Sequence, residues 1–154
     1  MILRNATTAD AGAIGTIAAR SPGAAPWRDD QYRQLIAMPD EYIVLVIERE
    51  SQLVGFAIAR IIVDEIEIQN IAVEPASRLR GIGSQLVAKT LDVAANRSFG
   101  SALLEVRESN KAARNLYEKQ GFLEVGRRAK YYSDPEEAAV LYRKNLGPAA
   151  PENA

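Results

Sequence analysis

Hydrophobic residues recur along the chain at two spacings, one typical of helices and one typical of strands. Four segments repeat them every three to four residues, which predicts amphipathic helices. These segments are "TADAGAIGTIAAR" with Thr8 as N-cap, residues 29–37, "GIGSQLVAKTLDVAANR", and "NKAARNLYEKQ", which begins at Asn110 and is stopped by Gly121. In the third helix, Leu86 and Leu91 fall on one face and are predicted to point inward.

The other apolar runs predict strands. The first covers residues 2–4, and six longer ones follow: "YIVLVIER", "QLVGFAIARIIV", "EIEIQNIAV", "ALLEV", "LEVGRRAKYY" and "EAAVLYRKN". Of these six, the first two are joined by Glu50 and Ser51, and the second and third by Asp64. Such short connections predict a tight antiparallel meander.

The alternation in "EIEIQNIAV" changes phase in the middle of the strand. Its first isoleucines, Ile66 and Ile68, are at even-numbered positions, whereas Ile71 and Val73 are at odd-numbered ones. Because successive side chains point to opposite faces, either both faces are buried near Asn70 or a β-bulge turns the end of the strand. Our hypothesis is the bulge.

The resulting order is βααβββ followed by αβαββ. It predicts an α/β (α+β) fold in which helices pack on a mixed sheet. A chain of 154 residues is long enough for one core of ordinary size. We therefore predict one domain over residues 1–146 and a flexible C-terminal tail, "GPAAPENA", over residues 147–154.

Composition narrows the choice of function. The formal net charge is -1, so no global field attracts nucleic acid or an anionic membrane. No apolar run approaches the ~18 residues of a membrane span, and the start lacks the layout of a secretory signal. Cysteine and histidine are both absent, which fits a reducing cytoplasm. A zinc site is therefore not expected, and any catalytic group must be Ser, Thr, Lys, Tyr, Asp or Glu.

A glycine-containing loop precedes the third helix, in "VEPASRLRGIGSQLVAKTL". The glycines leave their amides unshielded, and the first turn of a helix has unpaired N–H groups at its positive end. Together these donors predict a site for a phosphate or pyrophosphate. A glycine turn flanked by two solvated arginines, Arg78 and Arg80, is the equally weighted alternative.

Two familiar phosphate loops do not fit this segment. A Walker loop requires Lys directly after its second glycine, and here Ser84 and Gln85 follow Gly83. The dinucleotide fingerprint requires a third glycine where Leu86 stands. Its preceding strand should also open a βαβ unit, whereas this strand ends a meander.

The pattern Arg-x-x-Gly-x-Gly at Arg78, Gly81 and Gly83 resembles the acetyl-CoA pyrophosphate loop of the GNAT superfamily of N-acetyltransferases. The order of elements over residues 2–144 resembles that family as well. The resemblance implies the GNAT fold, a mixed and mostly antiparallel sheet with a splayed strand pair and flanking helices. It also implies acetyl-CoA as cosubstrate and no metal. The cofactor-binding residues it implies are Ile71, Ala72, Val73, Arg78, Leu79, Arg80, Gly81, Ile82, Gly83, Ser84, Gln85 and Asn110.

Three further segments, "DEIEIQNIAVEPASRLRGIG", "LLEVRESNKAARNLYEKQGF" and "RRAKYY", are similar to the bacterial ribosomal-protein alanine N-acetyltransferases of the Rim type. That resemblance implies acetyl transfer to the N-terminal α-amine of a small-subunit ribosomal protein, by direct attack in a ternary complex. It also implies Glu105 as general base and Tyr117 as general acid. The chemistry needs both, because an α-amine is mostly ammonium at neutral pH and the leaving thiolate takes up a proton. A carboxylate held in an apolar strand would be a stronger base through desolvation.

Each catalytic assignment has an alternative. Glu105 would be structural if it faced solvent or paired with Arg107 or Arg128. Tyr117 would be structural as a core aromatic residue with a hydrogen-bonded hydroxyl. Glu67 is a rival base, since histone-acetylating relatives use that position.

The substrate end of the site is less defined by sequence. Candidates for gripping a peptide N-terminus are Pro26, Trp27, Tyr131 and Tyr132; Asp64, Glu65 and Glu67 would suit a basic residue near its start. Packing or solvation explains each of them equally well. The expected partner is the N-terminal peptide of a small-subunit ribosomal protein, without direct nucleic-acid binding. The alternatives are a GNAT enzyme acting on a small amine or lysine, and a non-catalytic acyl-CoA-binding module.

Overall fold

The computed structural model describes residues 1–21, 24, 27–78 and 80–147. Within these ranges the strands and helices follow one another in the predicted order. The strands are β1 (Ile2–Asn5), β2 (Tyr42–Arg49), β3 (Gln52–Ile62), β4 (Glu65–Val73), β5 (Ser101–Arg107), β6 (Leu123–Tyr132) and β7 (Glu137–Asn145). The helices are α1 (Ala11–Ala19), α2 (Asp29–Ile36), α3 (Ile82–Asn96) and α4 (Lys111–Lys119), with short 3-10 turns at Thr8–Asp10 and Pro75–Ser77.

The strands form one sheet in the order β1-β2-β3-β4-β5-β7-β6. Neighbouring strands are antiparallel except β4 and β5, which run parallel. This parallel pair is short: its register begins at Glu65 with Ser101 and ends at Glu67 with Leu103. Beyond that point the two strands separate. The predicted mixed, mostly antiparallel sheet with a splayed pair is therefore confirmed.

Helices cover both faces of the sheet. On one face, Leu86 and Leu91 of α3 and Tyr117 of α4 join a buried cluster with side chains of β2, β3, β4, β5 and β7. On the other face, Ile14 of α1 and Tyr32 of α2 pack with side chains of β2, β3 and β4. Burial of each large apolar side chain stabilises the fold by roughly 1.5–3 kcal/mol, so the two clusters fix which face each helix covers.

Strand β4 contains the predicted bulge. Ile58 pairs with Asn70 and the next residue, Ala59, pairs with Ile68, so Gln69 is the extra residue in β4. Before the bulge, Ile68 lies in the cluster under α3 and α4; after it, Ile71 packs against the same cluster. One inserted residue therefore explains the change of phase, because it moves the odd-numbered positions onto the face that the even-numbered ones had occupied.

Two local predictions are wrong by one residue. The first helical segment begins with a 3-10 turn whose N-cap is Thr7 and not Thr8. The N–H of Thr7 donates to Asp10 Oδ2 at 2.7 Å. A hydrogen bond from Arg4 to the same carboxylate lowers the pKa of Asp10 and holds it in this position.

The turn between β3 and β4 consists of Val63 and Asp64, because Val63 takes a left-handed backbone (φ 57°) and leaves the strand.

The predicted tail and the boundary after residue 146 remain predictions. The last strand ends at Asn145, and residues 148–154 lie outside the described ranges.

Candidate functional site

The first turn of α3 presents free backbone donors. Gly81 precedes the helix with a left-handed backbone (φ 74°), a conformation that residues with a Cβ rarely adopt. The amides of Ile82, Gly83 and Ser84 donate to no acceptor within the described residues. Since α3 is 15 residues long, its positive end adds to these donors. The arrangement suits an anion such as a pyrophosphate. Leu79, also predicted here, lies outside the described residues.

This first turn lies against α4 and the end of β4. A Cβ built on Gly83 would be 3.5 Å from Leu116 Cδ2 and 3.9 Å from Val73 Cγ2, which are ordinary contact distances. Gln120, after α4, donates to the Ser84 hydroxyl at 2.7 Å and to the Ser84 carbonyl at 3.3 Å. These contacts place the predicted phosphate loop beside the helix that carries Tyr117.

The two arginines of the loop have different environments. Arg78 Nε donates to the carbonyl oxygen of Val73 at 3.1 Å, and Arg78 Nη2 donates to the hydroxyl of Ser21 at 3.2 Å. Its guanidinium thus ties the loop to β4 and to the end of α1. Arg80 is exposed and makes no hydrogen bond or ion pair with the residues that the structure describes. Of the two predicted rim charges, Arg80 is therefore the one available to a ligand.

The splayed strands leave one edge of β4 without a paired strand among the described residues. Ile71, Ala72 and Val73 pair with β3 on one side, and the pairing of β4 with β5 has already ended at Glu67. On the β5 side this stretch could therefore pair with another extended chain, although the Val73 carbonyl already accepts a hydrogen bond from Arg78. The side-chain oxygen of Asn110, which begins α4, accepts the N–H of Ala113 at 3.2 Å. This confirms the predicted N-cap. Contact of Ile71, Ala72, Val73 and Asn110 with a cofactor remains a prediction.

Tyr117 is buried on the α3 side of the sheet. Its ring meets Phe122 edge-on with centroids 5.7 Å apart, and it lies 6.5 Å from the ring of Tyr142. Burial, with a smaller contribution from Tyr132, raises the pKa of Tyr117 to about 12. Its hydroxyl makes no hydrogen bond with any described residue, unlike the partnered core tyrosine that was the alternative. Tyr117 is thus a protonated phenol at neutral pH with an uncommitted O–H.

Glu105 is not in the core, although its strand is apolar. Leu104 and Val106 point into the cluster under α3 and α4, and side chains alternate along a strand. Glu105 consequently points to the opposite face, with 20% of its side chain exposed. There Tyr131 donates its hydroxyl to Oε1 at 3.3 Å, and Arg128 Nε lies 3.2 Å from Oε2. Pairing with Arg128 was one of the sequence alternatives, whereas Arg107 pairs with Glu137.

Glu67 lies on the same face as Glu105. It is aligned with Leu103 in the parallel pair, and Glu105 is two residues further along β5. Its Oε1 accepts a weak hydrogen bond from the side chain of Gln69, at 3.4 Å. The carboxylate of Glu105, and to a smaller extent that of Glu67, raise the pKa of Tyr131. The two candidate bases therefore share one neighbourhood, and their roles remain predictions.

A cavity of about 210 Å³ opens on this face between α2 and the bulge of β4. It is lined by Trp27, Gln31, Gln34, Leu35, Met38, Tyr42 and Gln69. Gln69 connects this groove to Glu67, because its side-chain amide donates to that carboxylate. Trp27 was a candidate for gripping a peptide, and Pro26 lies outside the described residues. Sequence alone missed Gln31 and Gln34 of α2, since polar residues on a helix are typical of a solvated face.

The aromatic pair of β6 lies beside Glu105 as well. The rings of Tyr131 and Tyr132 are 5.0 Å apart and nearly perpendicular. Burial, followed by the Glu105 carboxylate, raises the pKa of Tyr132. Tyr132 also makes the smaller contribution to the raised pKa of Tyr117.

The acidic residues at the start of β4 differ in environment. Asp64, in the turn before the strand, is exposed, while Glu65 accepts hydrogen bonds from Ser101 and Arg143.

Two other properties bear on the kind of site. Within the described ranges, no group of three or more acidic side chains converges in a way that would hold a metal ion. Among the described helices, none is both long enough and apolar enough to cross a bilayer.

Residues 13–122 match the Acetyltransferase (GNAT) family. The [ribosomal protein bS18]-alanine N-acetyltransferase of Haemophilus influenzae is 40% identical over 106 residues, which cover 66% of this chain and 72% of that protein. The crystal structure of the ribosomal-protein-S18-alanine N-acetyltransferase from Escherichia coli superposes with a TM-score of 0.87 at 30% identity, covering 97% and 96% of the two chains. A Salmonella typhimurium protein solved with its cofactor acetyl-CoA shares the fold, with a TM-score of 0.85 at 20% identity over 97% and 96%. The chain belongs to the GNAT family of acetyltransferases.

Proposed function

We propose that this protein transfers an acetyl group from acetyl-CoA to the α-amine of the N-terminal alanine of a ribosomal protein, the counterpart of bS18. The observation that carries the proposal is the arrangement around the splayed strands. Amides of α3 that have no acceptor among the described residues lie on one side of the sheet with the phenol of Tyr117, and the carboxylate of Glu105 lies on the other. The substrate named for the relatives supports this choice of amine.

The cosubstrate would lie along the α3 side. The amides of Ile82, Gly83 and Ser84 would bind its pyrophosphate, with Arg80 adding positive charge and Arg78 holding the loop in shape; the predicted amide of Gln85 instead donates to the Gly81 carbonyl at 3.0 Å. The edge of β4 from Ile71 to Val73 that faces β5 would pair with the extended pantetheine arm, as an added strand would. Gly83 adds no side chain to the surface beside Leu116 and Val73.

The amine would arrive from the opposite face. On that face, the groove under α2 adjoins Glu67 through Gln69, and Tyr131 of the aromatic pair contacts Glu105. Together they offer apolar surface and amide groups to a peptide. The proposed partner is the small-subunit ribosomal protein itself, met in the cytoplasm where ribosomal proteins are synthesised. Glu67 lies within this path, and we assign it to binding of the peptide.

Acetyl transfer by direct attack requires three proton movements. Glu105 would accept the first proton of the α-ammonium, directly or through a water, so that the nitrogen lone pair can attack the thioester carbonyl. As the new C–N bond forms and the C–S bond breaks, Tyr117 would give its proton to the departing thiolate. Its pKa of about 12 keeps this phenol protonated until that moment. The nitrogen would then lose its second proton through water, which leaves the neutral amide and restores the phenol of Tyr117. Placement of base and acid on opposite faces matches substrates that enter from opposite sides.

The test begins with calorimetric titration of coenzyme A and continues with measurement of CoA release. An alanine-headed peptide of bS18 sequence is offered beside its Nα-acetylated copy, an internal-lysine peptide and polyamines. We expect turnover of the free peptide alone. Turnover confined to polyamines or lysine would instead assign another amine to the same site, and absence of coenzyme A binding would contradict enzymatic function altogether.

A further inference from the structure

Both oxygens of the Glu105 carboxylate face residues of one strand, β6. Tyr131 donates to Oε1, and the guanidinium of Arg128 approaches Oε2 to 3.2 Å while lying 5.4 Å above the Tyr131 ring. Oε2 is itself buried and has no hydrogen-bond partner among the residues that the structure describes, so the approach of Arg128 lacks the angle that a hydrogen bond requires. Arg128 therefore neutralises the carboxylate without satisfying its buried oxygen.

The α-ammonium of the proposed substrate carries the same positive charge as the Arg128 guanidinium but has a different shape. An α-ammonium is a compact cation with three N–H donors, whereas a guanidinium is broad and planar. A cation small enough to reach Oε2 would make the hydrogen bond that Arg128 does not make, and a charge-assisted bond of this kind is strong. Arg128 is free to leave, because 58% of its side chain is already exposed and the Tyr131 ring offers its guanidinium a second contact.

We propose that Arg128 is a positioning residue that occupies the place of the substrate ammonium on Glu105 and is displaced when the amine binds. This inference rests on the proposed function, in which Glu105 is the base. While Arg128 is in place, its guanidinium occupies the approach to Oε2 and keeps a water molecule away from that oxygen. Once the ammonium has replaced it, the carboxylate is released at the moment when its proper substrate is present.

Such a restraint has a chemical consequence. A base beside a bound thioester can activate water, whose oxygen would attack the carbonyl carbon. The C–S bond would then break to give acetate and CoA thiol, while Glu105 takes the proton of the water. Loss of Arg128 should therefore increase hydrolysis of acetyl-CoA in the absence of peptide. A purely structural role for Arg128 would predict the opposite, because a disordered site loses every activity.

The neighbouring arginine provides a matched control. Arg127 points away from Glu105 and forms ion pairs with Glu124 and Glu108 instead. The variants to compare are Arg128→Gln, Arg128→Lys and Arg127→Gln. An exposed ion pair is worth up to about 1 kcal/mol, which is about a fivefold change in an equilibrium constant.

In Arg128→Gln we expect the KM for an alanine peptide to fall by about threefold to fivefold and peptide-independent hydrolysis to rise by a similar factor. Arg128→Lys restores a cation and should recover at least half of each change, while Arg127→Gln should show neither. An unchanged or higher KM in Arg128→Gln, with no gain in hydrolysis, would overturn the proposal.

A spectroscopic readout separates this inference from the proposed function. In the wild-type protein saturated with coenzyme A, the Nε–Hε resonance of Arg128 is expected to shift on titration with the alanine peptide. Glu105→Gln should produce that shift without peptide, and the Arg127 resonance should stay in place. If the Arg128 resonance did not shift at saturating peptide, the displacement would be refuted. Failure of the wild-type protein to acetylate any alanine peptide would contradict the proposed function, and titration with alaninamide would then still test the displacement.

Discussion

Glu105 and Tyr117 lie on opposite faces of strand β5. Tyr117 belongs to the core cluster that Leu104 and Val106 enter, whereas Glu105, between those two residues, points to the face of Tyr131 and Arg128. The pair therefore flanks the gap left by the splayed strands and does not share one cavity. A base on the side of the amine and an acid on the side of the thiol can act in one step without competing for the same proton.

The first prediction concerns the base. Replacing Glu105 by Gln keeps the size of the side chain and removes its ability to accept a proton. We expect kcat with an alanine peptide to fall by about 10²-fold near neutral pH, whereas Glu67→Gln changes mainly KM. Steady-state kinetics on both variants measure the difference. Near-wild-type turnover in Glu105→Gln, together with a large loss of kcat in Glu67→Gln, would transfer the role to Glu67.

A second prediction concerns the acid. Tyr117→Phe removes only the hydroxyl, which has no partner among the described residues, and keeps the ring contact with Phe122. We expect kcat to fall by ~10²-fold, with little change in the dissociation constant of coenzyme A measured by calorimetry. Because the pKa of Tyr117 is about 12, ionisation of this phenol should cause no loss of wild-type activity between pH 7 and pH 10. A variant as active as wild type would exclude this phenol as the acid.

The Tyr117 hydroxyl should also affect how the free energy of unfolding depends on pH. Burial raises the pKa of Tyr117 from 10.0 to about 12, so the folded protein holds this proton more tightly than the unfolded chain does. The resulting stabilisation is complete below pH 10 and is lost as the pH rises through 12. It amounts to roughly 2–3 kcal/mol. Urea denaturation between pH 10 and pH 12 should therefore show a smaller decline for Tyr117→Phe, and equal declines would contradict the raised pKa.

A fourth prediction separates the two arginines of the loop. Arg78→Met removes the donors to Val73 and Ser21, and should lower the free energy of unfolding by about 1 kcal/mol as well as the affinity for coenzyme A. Arg80→Met should leave stability unchanged and weaken coenzyme A binding mainly at low ionic strength, because an exposed charge is screened by salt. If both variants lost affinity only at low salt, Arg78 would also act as a simple surface charge.

The fifth prediction contrasts the two glycines. Gly81→Ala forces a Cβ into a left-handed backbone (φ 74°) and should destabilise the protein by about 1–2 kcal/mol. Gly83→Ala meets only ordinary contacts in the first turn of a helix, so its free energy of unfolding should be unchanged or higher by up to ~1 kcal/mol. Equilibrium urea denaturation distinguishes the two. Equal destabilisation would show that packing, and not backbone conformation, controls both positions.

Several features could be predicted before the structure because they depend on neighbours in the chain. The shift of apolar residues around Asn70 predicted a bulge, and the bulge lies at Gln69. The N-cap of α4 and the stop at Gly121 follow from the same kind of local rule, since a short polar side chain and a residue without Cβ satisfy helix ends. The errors of one residue at Thr8 and Val63 have different causes. The ion pair between Arg4 and Asp10 decided the first boundary, and the left-handed backbone of Val63 decided the second.

The amino-acid sequence by itself determined the order of the elements, the mixed sheet and the two glycines at the start of α3, because periodicity and backbone freedom are properties of local chain segments. It also supplied the apolar setting of Glu105, which suggested a buried carboxylate. Only the tertiary structure decided that this carboxylate lies outside the core, against Arg128 and Tyr131. The reason is physical: α3 and α4 bury the face of β5 that carries Leu104 and Val106, so Glu105 points to the other face, where the fold brings a cation of β6 within reach of its charge.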